Sequence, residues 1–254
     1  MSEAAVTGSL VVVGTGPGKA ELMTPATEAA LARATDLVGY GPYLDRVPPR
    51  SGQCRHASDN RVELERARHA LSLAAAGRQV VVVSGGDPGV FAMAAAVFEA
   101  VEAGDPAWRG LDIRVEPGVT AMLAAAAEVG APLGGDFCAI SLSDNLKAWS
   151  TVERRLKAAA EGDFVIAFYN PASKARPTQL GQAFDLLRTL KSADTPVLLV
   201  RAAGTADAQV ITTTLGAADP SRADMRTLVI VGASTTRQVG RWVYTPRSER
   251  SGRS

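Results

Sequence analysis

The chain is poor in the residues that would tie it to a metal centre, a disulfide framework or a membrane. Its 254 residues include two cysteines, Cys54 and Cys138, and two histidines, His56 and His69. That excludes a disulfide-stapled scaffold and a Cys/His metal cluster, which both need several such residues at close spacing. No apolar run approaches the roughly 20 residues of a membrane span. The start, MSEAAVTGSL, lacks a basic stretch followed by an apolar core, so no secretory leader is expected. An excess of one charge is missing too. Lys and Arg number 27 against 26 Asp and Glu, a net charge of +1, so neither nucleic acid nor a membrane surface is an expected partner. A cytoplasmic location is the remaining expectation. What is present, 46% hydrophobic and 21% charged residues, fits a globular chain with one large or two modest domains. The closing TPRSERSGRS reads as a short basic frayed tail.

The first half alternates apolar runs with helical spacing. SLVVVG (Ser9–Gly14), DLVGY (Asp36–Tyr40), QVVVVS and LDIRVE (Leu111–Glu116) read as strands. Helices are expected from Pro25 to about Ala34, with Thr24 as cap, and over Val90–Ala103. Another should contain Val62, Leu64, Ala67, Leu71 and Ala74, capped by Ser58 or Asp59 and stopped at Gly77. GPYLDRVPPRSGQ reads as a loop, because its prolines and glycines break any period. The expected fold class is therefore α/β, with a mostly parallel first sheet. EPGVTA (Glu116–Ala121) is the expected hinge. After it come an alanine-rich helix through Glu128, the strand CAISL and a helix near Thr151–Ala160. The strand DFVIAFYN, a helix near Pro177–Leu190 and the closely linked strands PVLLV, QVITTTL and TLVIVG follow. The short polar links predict a mixed second sheet.

Glycine-rich turns follow several of these strands. GTGPGK (Gly14–Lys19) fails the dinucleotide fingerprint, because Lys19 stands where the third glycine belongs. It fails the phosphate loop too, because Val13 and Ala20 replace the glycine and the Ser or Thr. SGGDPGVF says more: Gly85 and Gly86 permit close backbone approach, Asp87 offers a carboxylate, and Pro88 stiffens the turn. With EPGVTA, AFYNP, RAAGT and VGAS it marks a set of turns at strand ends, where open α/β sheets bind ligands.

In this order and spacing GTGPG, SGGDPGVF, EPGVTA and FYNP resemble the tetrapyrrole methylase family, S-adenosylmethionine-dependent enzymes of the third methyltransferase class. The resemblance spans about residues 8–245. DLVGYGPYLD, ELERARHAL, SGGDPGVFAMA and DFVIAFYNPASKAR look most like its branch in cobalamin biosynthesis. It implies two α/β domains, 8–117 and 118–245, before a disordered basic tail, 246–254. It also implies a homodimer and a donor folded between the domains. Carried over, Gly85, Gly86, Asp87 and Val90 would contact S-adenosylmethionine, with Thr120 and Ala121 from the hinge and Pro17 from the first loop. Phe168 or Tyr169 takes the place where several relatives carry methionine, and Gly204 matches a late donor-binding glycine.

The implied reaction methylates a ring carbon of a lactone-bearing tetrapyrrole, accompanied by contraction of the macrocycle. Methyl transfer from a sulfonium needs alignment more than a nucleophilic side chain, which fits a chain without a Ser/His/Asp or Cys/His set. The rearrangement calls for proton movement, for which Tyr40, Tyr43, Asp59, Glu63 and His56 lie in or beside the loop after the second strand. The two tyrosines are expected to line the macrocycle. The implied acceptor is a polycarboxylate, so at least two of Arg46, Arg50, Arg55, Arg61, Lys174 and Arg176 are expected to touch it, with Arg50, Arg55, Arg61, Arg176 and the Asn170 amide as the substrate-binding candidates. A corrin methylase with another ring-carbon preference, a nicotinamide-dependent oxidoreductase and a tetrapyrrole or nucleotide sensor without turnover are the competing readings.

Overall fold

The computed structural model describes residues 8–248. They form two compact units, one through Ala121 and one from Met122. The first unit contains β1 (Ser9–Gly14), α1 (Pro25–Arg33), β2 (Asp36–Tyr40), α2 (Gly41–Leu44), β3 (Cys54–Ser58), α3 (Glu63–Ala75), β4 (Gln79–Ser84), α4 (Met93–Ala103) and β5 (Asp112–Glu116). Its sheet has the order β3-β2-β4-β1-β5, and every pairing is parallel. The valine run of β4 shows why it is apolar throughout. Val80 and Val82 pack with α3 and α4 on one face, while Val81 and Val83 meet Ala30 and Leu31 of α1 on the other. Thr24 caps α1, its Oγ1 accepting the Thr27 amide at 3.2 Å.

α5 (Ala121–Val129) begins at the last residue of the first unit. The second unit continues with β6 (Gly130–Ala131), β7 (Phe137–Ser141), α6 (Trp149–Glu161), β8 (Val165–Tyr169), α7 (Gln179–Arg188), β9 (Pro196–Arg201), β10 (Gln209–Thr214), β11 (Thr227–Val231), β12 (Arg237–Val239) and β13 (Trp242–Tyr244). Its main sheet, β10-β9-β11-β8-β7, is mixed: β7 and β8 run parallel and the other pairs antiparallel. α6 and α7 cover a core of Ile140, Leu156, Ile166, Phe168, Phe184 and Val229. β6, β12 and β13 form a small separate sheet.

Several local expectations are corrected. The segment from Gly41 opens with a helical turn, because Pro42 supplies a first-turn φ, and only then becomes a loop. CRHAS is a strand that periodicity hid: it lies at the sheet edge with mostly exposed side chains. Neither Ser58 nor Asp59 caps α3. Its first turn follows Val62, which offers no side-chain cap, and Leu64 is exposed while Ala67, Leu71 and Ala74 are buried. α4 starts at Met93 rather than Val90, because the turn continues through Phe91 at φ 51°. Residues 249–254 of the expected tail lie outside the described residues.

Candidate active site

Parallel pairing places the C-terminal ends of β1 to β5 at one edge of the first sheet. The loops after Gly14, Tyr40, Ser58, Ser84 and Glu116 therefore share that edge. Three of them meet backbone to backbone. Gly16 and Gly86 exchange two amide–carbonyl hydrogen bonds of 3.1 and 2.8 Å. A Cβ on Gly14 would lie 2.5 Å from the Gly86 carbonyl oxygen and 2.8 Å from the Gly118 nitrogen. Only hydrogen fits there, and a Cβ on Gly118 would clash with the same oxygen, so Gly14 and Gly118 are glycines for close approach, whereas Gly86 is glycine for its left-handed backbone at φ 66°.

Asp87 fixes this arrangement. Its Oδ1 accepts the Gly89 amide at 2.8 Å and its Oδ2 the Gly118 amide at 3.0 Å. The carboxylate thus staples its own turn to the hinge loop that carries Thr120 and Ala121. Val90 is half-buried beside it, its amide donating to the Asp87 carbonyl at 3.3 Å. Pro17 is half-buried just beyond Gly16.

Tyr43 adjoins the same turn. A Cβ on Gly85 would sit 2.8 Å from Tyr43 Cζ, so the ring occupies the space a side chain would need. Tyr40 meets Tyr43 edge to face with centroids 5.4 Å apart, and the Arg46 guanidinium lies 5.4 Å from the Tyr43 centroid. Asp59 and Arg61 are exposed just past β3, and Arg61 is held at φ 69°. Arg50 and Arg55 are set apart from this group. Arg50 is exposed before β3 begins, at the opposite sheet edge. Arg55 donates to the Leu44 carbonyl at 2.9 Å and to the Val47 carbonyl, and so braces the loop between β2 and β3.

In the second unit the ends of β7, β8 and β9 likewise share an edge. Strand alternation separates the two aromatic residues. Phe168 is wholly enclosed in the core, whereas the half-buried Tyr169 accepts the Met122 amide at its Oη, 3.1 Å away. Asn170 has φ 52° and donates through Nδ2 to Ser141 Oγ at 3.0 Å. Gly204, at φ 69°, donates its amide to Glu128 Oε1 at 3.3 Å. Arg176 is only 6% exposed. It donates to the carbonyls of Asn170 (3.2 Å) and Leu142 (3.5 Å), tying the loops after β7 and β8 together.

Residues 9–219 match the tetrapyrrole (corrin/porphyrin) methylases. The chain belongs to that family. The methylase is 59% identical over 247 residues to the precorrin-3B C(17)-methyltransferase of Sinorhizobium sp, covering 95% of this chain and 97% of that one. It is 43% identical over 246 residues to the probable cobalt-factor III C(17)-methyltransferase of Salmonella typhimurium, covering 94% and 98%. The crystal structure of the methyltransferase CobJ superimposes with a TM-score of 0.92 at 56% identity, covering 94% of this chain and all of that one. A uroporphyrin-III C-methyl transferase from Thermus thermophilus, solved with S-adenyl homocysteine, shares the fold at 22% identity and a TM-score of 0.67, covering 89% and 97%.

Arg66 stands outside every strand-end turn of the sequence. This residue is 5% exposed, on the buried face of α3 with Ala67, Ala70 and Leu71. The available signal was its spacing, four residues before buried Ala70, where an arginine interrupts an alanine-rich stripe. A second polar cluster joins β2, β3 and α3. Asp36, 2% exposed, accepts from His56 Nε2 at 2.9 Å, Arg78 Nε at 2.7 Å and Thr35 Oγ1 at 2.7 Å. With His56 Nε2 donating, its Nδ1 accepts from His69 Nε2 at 3.0 Å. Burial pushes the Asp36 carboxyl upward, but the hydrogen bonds from Arg78, His56 and Thr35 prevail and hold its pKa at about 2. His56 is thereby engaged in structure. Among the described residues no group of metal-binding side chains is assembled, and no helix is long and apolar enough to cross a membrane.

Proposed function

We propose that this methylase transfers the methyl group of S-adenosylmethionine to C(17) of precorrin-3B in cobalamin biosynthesis, with contraction of the macrocycle to precorrin-4. The observation that carries the reading is the 59% identity, over nearly the full length of both chains, to the Sinorhizobium enzyme of that name. The lower identity, 43%, to the cobalt-factor III relative favours a metal-free acceptor. The same comparisons weigh against an oxidoreductase and a sensor.

The residues present fit the donor. The turn after β4 carries no side chain at Gly85 or Gly86, and Asp87 makes it rigid through two amide hydrogen bonds. Such a turn is already set in shape and can meet a polar nucleoside without reorganising. Pro17, Gly85, Gly86, Asp87, Val90, Thr120 and Ala121, with Tyr169 and Gly204, are the donor-holding residues of this reading. When bound, S-adenosylmethionine supplies a methyl group activated by the sulfonium charge. The protein's contribution is alignment and exclusion of water, and well-oriented groups reach effective molarities of about 10⁵–10⁸ M.

Tyr40 and Tyr43 line the acceptor, with the Tyr43 ring against the donor turn. Their phenolic oxygens, with the Asp59 carboxylate, are the groups available to relay a proton during rearrangement. Arg46, Arg61, Lys174 and Asn170 are the substrate-binding groups this reading favours. Arg50, Arg55 and Arg176 shape loops through backbone contacts or lie apart. The protein works as a cytoplasmic homodimer on this reading. Mass spectrometry of purified protein incubated with donor and either precorrin-3B or cobalt-factor III tests it. Gain of one methyl group by precorrin-3B, faster than by cobalt-factor III, is expected; preference for the cobalt form or absence of transfer would reject it.

A further inference from the structure

Arg66 is a buried cation without a matching anion. Its Nε donates to Ser58 Oγ at 2.8 Å, its Nη2 to the Asp59 carbonyl at 2.5 Å and its Nη1 to the Met93 sulfur at 3.2 Å. A guanidinium has five N–H donors, so two remain without a partner among the described residues, and a thioether is a weak acceptor for a third. No carboxylate lies within ion-pair distance of it among the described residues. The charged and titratable groups within electrostatic reach are Glu63, Tyr43 and Tyr40. Glu63 is exposed, so solvent screens it. Burial accordingly lowers the arginine's pKa, with Glu63 and the tyrosines only partly offsetting it.

An unpaired buried charge is costly, and apolar residues of similar volume in such places are often neutral or stabilising. The hydrogen bonds of Arg66 brace the end of β3, but the donors left over have no task within the fold. The surroundings indicate one. Ser58 ends β3, Met93 opens the helix after the donor turn, and Tyr43 rests on Gly85 of that turn. Arg66 is therefore a fixed positive charge within electrostatic reach of the residues proposed to line the acceptor.

We propose that Arg66 is the counter-charge for one carboxylate of the acceptor, received beside Tyr40 and Tyr43. The proposal deepens the methyltransferase reading and rests on it for the location of the acceptor. The planar fork offers two donors to a carboxylate, and low local polarity strengthens the attraction. A neutral ester at the same substituent loses it.

The test compares wild type, Arg66→Met and Arg66→Lys. Fluorescence quenching reads binding of uroporphyrin, a polycarboxylate porphyrin, and of its methyl ester. Calorimetry reads S-adenosyl homocysteine, and thermal unfolding reads stability. Wild type is expected to favour the acid over the ester. Arg66→Met should lower that preference about tenfold, leave S-adenosyl homocysteine affinity within about twofold, and unfold at or above the wild-type temperature. Arg66→Lys should fall between, because it keeps the charge and loses the fork. An unchanged acid preference in Arg66→Met overturns the proposal, as does a fall in stability with a matching loss of nucleoside binding. Should the methionine variant fail to fold, an acid preference in Arg66→Lys equal to wild type overturns it. These readouts need no turnover, so failure of precorrin-3B methylation would count against the function reading alone.

Discussion

Replacing Gly14 by alanine tests whether the strand-end loops of the first unit form one rigid donor platform. The new Cβ would meet the Gly86 carbonyl oxygen at 2.5 Å and the Gly118 nitrogen and Pro88 Cδ at 2.8 Å each. Ordinary contact starts near 3.4 Å, so the loops must separate by most of an ångström at the first contact. None of these atoms belongs to a flexible side chain. Gly86 is tied to Gly16 by two hydrogen bonds, and Gly118 is held by Asp87. Overpacking of this kind costs about 1–3 kcal/mol. Part of the strain is relieved by shifting the turn, which should weaken S-adenosyl homocysteine binding about tenfold or more, at roughly 1.4 kcal/mol per factor of ten. The remainder should lower the unfolding temperature by about 2–4 °C per kcal/mol. Calorimetric titration and thermal unfolding, with Gly110→Ala as control because nothing lies within 4 Å of its Cβ position, give both numbers. Wild-type binding and stability in Gly14→Ala would refute the close-packed platform.

Four further outcomes follow from individual contacts. Asp36 has its pKa lowered from 3.8 to about 2, so its stabilising contribution is present above the unfolded-state value and lost as pH falls through the folded one; urea unfolding should show a loss on the order of 2 kcal/mol between about pH 4 and 2, reduced in Asp36→Asn. Thr24→Ala removes the acceptor for the Thr27 amide and should cost about 1 kcal/mol in chemical unfolding with donor affinity retained. Phe168→Ala should destabilise by about 3–5 kcal/mol by opening a cavity in the second core. Tyr169→Phe keeps the ring but takes away the acceptor for the Met122 amide, so nucleoside titration should show weaker binding with a smaller stability change.

The parts of the fold that could be read from sequence are those where one local signal coincides with burial. β4 is buried on both faces, so four consecutive valines announce it. Thr24 followed by Pro25 announces α1. β3 escaped because an edge strand can be stabilised by one pairing and leave Arg55 and Ala57 in water, which erases the apolar period. The start of α4 is hidden in the sequence because the Asp87 turn before it is held by a loop about thirty residues away and Phe91 takes a left-handed backbone.

The site shows the same division. The glycine-rich turns stood out by composition, but their mutual approach did not, since Gly14, Gly86 and Gly118 meet only once β4, β1 and β5 lie side by side. The arginine-rich loop looked uniform in sequence. In the fold Arg55 braces carbonyls, Arg50 lies at the far edge, and Arg66, masked by its helix, is the residue left short of partners. Phe168 and Tyr169 are neighbours in sequence and serve different ends because a strand sends alternate side chains to opposite faces.

Carbon NMR of the product formed from precorrin-3B and a donor labelled with carbon-13 in its methyl group decides whether C(17) receives the methyl. A single new labelled methyl, bonded to C(17) of a contracted ring, is expected. Label at any other ring carbon, or label that stays in the donor, would contradict the proposed function.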